Sequence, residues 1–417
     1  MTAPNGAIKF NNLTGSDTQS SGLGPAVAVY GSGASTTGAS NVVTGINTAG
    51  VSSGDLLWVQ SSSGRQFSII ATVDSGSQVT CDDNFDNTES GRTWAIGGKR
   101  ATFDNADSRR LLINDTGNWT IGTETDQSLT SNIGSPVNAA TIAGIGGRRT
   151  ISCTGNFAAF TQGAGASRQF RNLKFLGSTG NTVAAIYGGW TKVVDCQFGE
   201  DGGSNNFLQG INNSSVASNS SVFRSLFFGQ GSTSGIALYK QGGGGANAPQ
   251  AYDCFIKDFG TGIGGVYNGG NANVARCIIA NCNYGLDLTY AFVRESIFYN
   301  ITNDAIKLSY ASNTSDYLVN LGGQSVGGLN HWGSNVFSEV GGYAINASVA
   351  SVGSLSDFGI SDTQYLHNVT SGMTGIEFSS SSLSSSPFVD AANGDFNINN
   401  AAGGGAVLRS TKYTLGG

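Results

Sequence analysis

Asp253, Arg276 and Glu295 hold matching places in a phrase that this 417-residue chain repeats, and they come nearest to a catalytic pattern. In each copy a charged residue precedes a small Cys or Ser, and a large apolar residue follows two places later. The copies read Val194-Asp195-Cys196-Gln197-Phe198, Phe223-Arg224-Ser225-Leu226-Phe227, Tyr252-Asp253-Cys254-Phe255-Ile256, Ala275-Arg276-Cys277-Ile278-Ile279 and Arg294-Glu295-Ser296-Ile297-Phe298. Parallel strands lie about 4.8 Å apart, so Asp253 and Glu295, two copies apart, approach the roughly 6.5–9.5 Å carboxylate separation of inverting glycoside hydrolysis. Arg276 falls between them and neutralises both. The outward series Asn172, Asp195, Arg224, Asp253, Arg276, Glu295 alternates in sign. Alternation gives attraction of about 0.2–1 kcal/mol per exposed pair, where one sign would repel itself. The series reads as a salt-bridge ladder, and Asp287 with Lys307 reads as a second simple pair.

Other candidates are sparse. Glu200-Asp201 stands in a glycine-rich corner, where a solvated turn is the simpler reading and an ion or sugar contact the sharper one. His331 and His367 are the only histidines, so histidine acid–base chemistry has two positions to use. His331-Trp332 falls in an interruption of the repeat, 321–333, which could form a binding loop; a surface-loop histidine is the simpler reading. Tyr187, Trp190, Tyr239, Tyr290 and Tyr310 suit either stacking on sugar rings or packing. The six cysteines form no CxxC pair and no zinc-ligand spacing with histidine. Three of them, Cys196, Cys254 and Cys277, centre the phrase, where a buried thiol behaves as a small hydrophobe. Parallel side chains at Cys254 and Cys277 give poor disulfide geometry. The glycine run 242–245 lacks a following Lys-Ser/Thr, so it is no phosphate loop. No catalytic, cofactor-binding or metal-ligating residue is assigned, and no cofactor is expected.

These residues need a scaffold that returns at a fixed interval. With Leu173, Cys196, Ser225, Cys254, Cys277 and Ser296 taken as equivalent, the intervals are 23, 29, 29, 23 and 19 residues. Three short strands and three corners, one coil of a three-sided parallel β-helix, need about that length. Val194, Cys196 and Phe198 are expected to face inward and stack on Phe223, Ser225 and Phe227. Further strands, at 262–266, 285–288, 304–308 and 343–347, follow Asp258, Asn281, Asn300 and Glu339. Asn and Asp tolerate left-handed backbone and suit a tight corner repeated coil after coil.

The fold expected is all-β: a right-handed three-sided parallel β-helix, or solenoid, with a small N-terminal β domain and a C-terminal cap. Residues 1–100 form the N-terminal β docking domain, with strands at 55–60 and 66–73 and an arm or mobile loop at 31–45. Residues 101–386 form the helix, with early strands at 110–113, 119–121, 140–143 and 157–160. Residues 387–417 form a cap over the last open coil, whose bare edge would otherwise invite association. Charged residues make up only 12% of the chain, too few for a disordered one, and the 63 glycines show no Gly-X-Y period. Net charge is −6 without a basic cluster, which argues against nucleic-acid partners. No apolar stretch is long enough to span a membrane, and the N-terminus has no Sec-type signal.

The regularity from about 100 to 398 resembles right-handed parallel β-helix proteins, a group that includes pectate-lyase-like enzymes and phage tailspikes. The closing Ser386-Pro387-Phe388-Val389-Asp390-Ala391-Ala392-Asn393-Gly394-Asp395-Phe396 resembles an ending common in that group. Gly15-Ser16-Asp17 and Ser62-Ser63-Gly64-Arg65-Gln66-Phe67-Ser68 resemble the lead-in of β-helix proteins encoded by tailed phages. The resemblance implies a virion surface protein, made in the host cytoplasm and released by lysis, homotrimeric, and held to major capsid or tail proteins by its N-terminal domain. Enzymes of the group act on polysaccharides through carboxylates on an outer face, or through calcium-binding acids with an Arg or Lys base. No cluster of three acids matches here, a departure from the lyase pattern. A non-enzymatic capsid decoration or cement protein, adhering to host glycans, is therefore favoured. The alternative is a tailspike that binds and cleaves host surface polysaccharide; the missing signal argues against a host-side adhesin.

Overall fold

The computed structural model describes residues 7–10, 29–62, 64–97, 119–133, 140–161, 167–213, 220–231, 233–241, 249–266, 271–288, 290–308, 319–320, 334–346, 363–374 and 380–410. They are nearly all strand; helix among them is confined to a 3-10 turn at Ala391–Asn393 and six residues at Gly405–Ser410. By internal packing the chain divides into two units, 1–175 and 176–417.

In the first unit, 29–97 closes into a six-stranded antiparallel barrel. Its order is Val29–Thr36, Ser40–Thr44, Gln78–Phe85, Gly64–Ser75, Leu56–Ser61 and Glu89–Ile96, the last pairing back onto the first. Val43, Leu57, Val59, Ile70, Val79, Phe85, Trp94 and Ile96 fill it. The expected arm at 31–45 is instead a hairpin, with Ser35 opposite Thr44 and Thr36 opposite Val43. Its composition hides it; neighbouring strands fix it. The same unit stacks parallel strands: Ala7–Phe10 pairs with Trp119–Thr123, then come Ala140–Gly144 and Ser167–Arg171. The strand expected at 157–160 begins only at Phe160, and the one at 110–113 lies outside the described residues.

The second unit is a three-sided parallel β-helix. Ser220–Phe223, Leu226–Phe228 and Ile236–Gln241 form one coil and pair in parallel with Gln250–Tyr252, Phe255–Lys257 and Thr261–Val266 of the next. Those pair in turn with Asn271–Ala275, Ile278–Ala280 and Tyr284–Leu288. The strands of each coil thus build a first, a second and a third sheet. Asp258, Asn281, Asn300, Glu339 and Asn368 turn the second corner with φ between 49° and 64°, the left-handed ladder expected there.

The first corner corrects the sequence reading. Asp195, Arg224, Asp253, Arg276 and Glu295 have φ between 46° and 56°, so the charged residue of the phrase is itself the corner. One left-handed residue breaks the two-residue alternation of a strand. Val193, Val222, Ala251, Val274 and Val293 therefore line the core, each at 1% exposure or less, where Val194 and Phe223 were expected. Phe223 lies outside, its ring 5.2 Å from that of Tyr252 and 13° from parallel.

Past the corner the expectation holds. Phe198 stacks on Phe227 at 4.4 Å and Phe298 on Phe337 at 5.2 Å, with Ile256 and Ile279 buried in the intervening coils. Gly210 and Gly285 open the third strands to these rings, because a Cβ at either would sit 2.6 Å from Phe227 or Phe298.

Residues 387–410 run along the outer face of the second sheet, where Phe396 meets Phe255 and Tyr299 at 6.0 and 5.5 Å. Ile297, Val336, Tyr365, Leu383, Phe388, Phe396 and Leu408 form one buried cluster there. Asn399 holds the segment's shape, donating to Ser386 O at 2.8 Å and Phe388 O at 2.7 Å while accepting from Ala401 N at 3.0 Å.

Candidate functional site

The centre of the phrase serves the backbone. A left-handed corner turns the next amide away from the strand ladder, and the side chain one coil on accepts it. Cys196 N donates to Ser225 Oγ at 3.1 Å, Cys277 N to Ser296 Oγ at 3.2 Å, Ser296 N to Asn335 Oδ1 at 2.9 Å and Asn335 N to Gln364 Oε1 at 3.0 Å. A buried amide left unmade costs about 1–3 kcal/mol, so this ladder is structural first. Asn335 and Gln364 belong to it although neither is Cys or Ser; their places just before Val336-Phe337 and Tyr365-Leu366 were the available signal. Cys254 and Cys277 are free and buried. Burial pushes the thiols of Cys81 and Cys282 up to about 12 and that of Cys277 well above its ordinary range, which removes them as nucleophiles.

The outward charges pair as the sequence indicates. Arg224 grips Asp195 through two bonds of 2.8 and 2.9 Å. Arg276 grips Asp253 at 2.6 and 2.9 Å and reaches Glu295 at 3.9 Å, so the two spaced carboxylates share one guanidinium. Its hydrogen bonds to Asp253 raise the Arg276 pKa further, leaving a fixed cation between them. Asp287 meets Lys307 at 3.5 Å. Asp201 meets Lys257 at 2.6 Å, which makes the glycine-rich corner a tied turn.

His331 and Trp332 lie outside the described residues. His367 stands on Gln364–Thr374 beside Ser338 and Glu339, a trio with the composition of a hydrolytic relay. Both oxygens meet the same ring nitrogen, however: Ser338 Oγ lies 3.0 Å and Glu339 Oε1 3.3 Å from Nδ1. A relay needs the acid on one nitrogen and the nucleophile on the other. Ser338 is also fully buried, so the trio is a packing joint.

The third sheet carries outward columns of its own. One column of its residues runs Tyr187, Asn212, Tyr239, Gly264, Asp287, Lys307, Asn346 and Thr374 in strand register. A second runs Gln209, Ile236, Thr261 and Tyr284. Tyr187 is 39% exposed, and Tyr239, Tyr284, Asp287 and Lys307 are half-buried. Asn212 Nδ2 donates to Gln209 Oε1 at 2.7 Å, and Lys307 Nζ lies 4.7 Å above the Tyr284 ring. Asp304 is spoken for, accepting from Tyr343 N at 2.9 Å and Asn346 Nδ2 at 2.8 Å. The side chains of Trp190 and Tyr290, and all of Tyr310, lie outside the described residues.

Among the described residues no group of three or more His, Cys, Asp or Glu is placed to hold a metal ion, and no helix is long and apolar enough to cross a membrane. No family model and no curated protein matches the chain. Among solved structures it is similar to the tailspike protein gp49 from Pseudomonas phage LKA1, at 12% identity and TM-score 0.24, over 86% of this chain and 60% of that one. The chain thus spans less than two thirds of that tailspike's length. It is also similar to the catalytic domain of a GH87 alpha-1,3-glucanase with tetrasaccharides, at 11% identity and TM-score 0.26, over 86% of this chain and 89% of that one. The same domain with nigerose gives 10% identity and TM-score 0.27, over 90% and 95%. The capsid-decoration expectation draws no support from the fold or from these likenesses.

Proposed function

We propose that the chain is a glycan-binding β-helix of tailspike type that holds a polysaccharide along its third sheet without cutting it. The column of Tyr187, Tyr239, Asp287, Lys307 and Asn346, in register through the buried Asn212, carries this reading. Tyrosine offers an apolar ring face with a polar edge, and amides beside it both donate and accept. Coils spaced about 4.8 Å apart repeat such contacts along the wall, which suits a chain of sugars better than one small ligand. Cleavage is disfavoured by the best-spaced acids, because Asp253 and Glu295 are bridged by Arg276. A phage particle as the location, a homotrimer, and attachment to capsid or tail proteins through the N-terminal unit belong to the same proposal and rest on the sequence resemblance.

Incubation with host capsular polysaccharide tests it, reading retention by co-sedimentation and chain length by size exclusion. Retention with unchanged length is expected. Shortened chains favour the cleaving tailspike, and no retention on any host glycan overturns the reading.

A further inference from the structure

The third sheet buries a lysine. Asn213, Lys240 and Gly265 are neighbours in strand register, and Asn213 and Lys240 are both fully buried. Gly265 makes this possible, since a Cβ there would lie 2.5 Å from Lys240 O and 3.4 Å from Lys240 Cβ. In the later coils Leu288 and Leu308 are buried and paired with each other. Among the described residues neither amide atom of Asn213 has a hydrogen-bond partner, and Asn212 Oδ1 beside it has none. An amide buried this way is costly.

We propose that Lys240 and Asn213 condense into an intramolecular isopeptide bond that ties two successive coils together. Register places them one strand spacing apart, about 4.8 Å, within reach of the four-carbon stem of lysine. Burial lowers the Lys240 pKa and so favours the neutral amine that attacks. Lysine Nζ adds to Asn213 Cγ, the Cγ–Nδ2 bond breaks, and a proton passes from Nζ to the departing nitrogen, which leaves as ammonia. No oxidant, metal or cofactor enters the balance. The product leaves one secondary amide where a primary amide and an amine stood.

Mass spectrometry of the full-length protein decides the matter without a variant. The intact chain should be lighter than its sequence mass by one ammonia. Trypsin should then leave Lys240 uncut and release a branched peptide joining 193–224 to 225–257. Lys240→Arg, which keeps the charge but not the amine, should restore the full mass and, since trypsin also cuts after the substituted arginine, release the linear peptides 193–224, 225–240 and 241–257. Cleavage after Lys240 in the natural chain overturns the proposal. So does a lost ammonia confined to the 193–224 peptide, which reports a succinimide at Asn213.

Discussion

The outer faces of the second and third sheets belong to the same coils yet have opposite chemistry. On the second, Leu226, Phe255, Ile278, Ile297, Val336 and Tyr365 follow one another in register, and the C-terminal segment packs over this face from Phe255 to Leu383. On the third, tyrosines, amides and a compensated Asp287–Lys307 pair stand in register instead. One wall is covered by the chain's own C-terminal segment, and the other carries the residues proposed to meet a glycan.

The largest effect should come from uncovering the finished wall. Phe396→Ala removes the ring wedged among Phe255, Tyr299 and Phe388. A loss of about 3–5 kcal/mol is expected, seen as a lower unfolding temperature and as proteolysis within 387–410. Glycan retention by the molecules still folded should be unchanged; a parallel loss of retention would mean that the walls are not independent. Gly285→Ala comes next, because its Cβ would press on the Phe298 ring at 2.6 Å and on Ala305 O. Overpacking there should cost about 1–3 kcal/mol in denaturant unfolding, against almost nothing for Gly76→Ala, whose Cβ meets nothing within 4 Å.

Much of the finished wall was legible. Phe255-Ile256, Ile278-Ile279 and Ile297-Phe298 put apolar residues on both faces of a strand, which signals cover on both. The phrase identified the inner member of each pair; the outer member is apolar too, but the sequence reading placed 387–417 over the last open coil and not over this face. The left-handed corner at Arg224, Arg276 and Glu295 was not legible, because these residue types do not favour that conformation and nothing local marks it. That single feature moved Phe223 out of the core and put Val193 and Val222 inside, while Val194 stays buried at 8% exposure. The salt-bridge ladder was legible because charge alternation survives either reading of the backbone. The open wall was only partly so: Tyr187 and Tyr239 stood out as aromatics, but their shared column depends on insertions that vary the length of each coil.

Tyr239→Ala sharpens the other half of the comparison. The ring is half-buried on the open wall, and its removal should weaken polysaccharide retention by about 1 kcal/mol, roughly fivefold in Kd, with little change in unfolding temperature. Affinity that survives the change moves the glycan to another face.

The smallest effect is expected where the sequence first suggested chemistry. Asp253→Asn keeps a side chain that tolerates the corner's φ of 56° and deletes only the charge that holds Arg276. Both partners are about a third exposed, so solvent screens the pair and about 0.2–1 kcal/mol should be lost, shrinking further as salt is raised. Arg276 keeps Glu295 at 3.9 Å, which blunts the loss again. A catalytic Asp253 predicts the opposite order, with stability hardly moved and any depolymerisation abolished. Measuring polysaccharide length with the natural chain and with D253N therefore separates a ladder from a site: equal lengths leave the charged corner as scaffold and the third wall as the place to look.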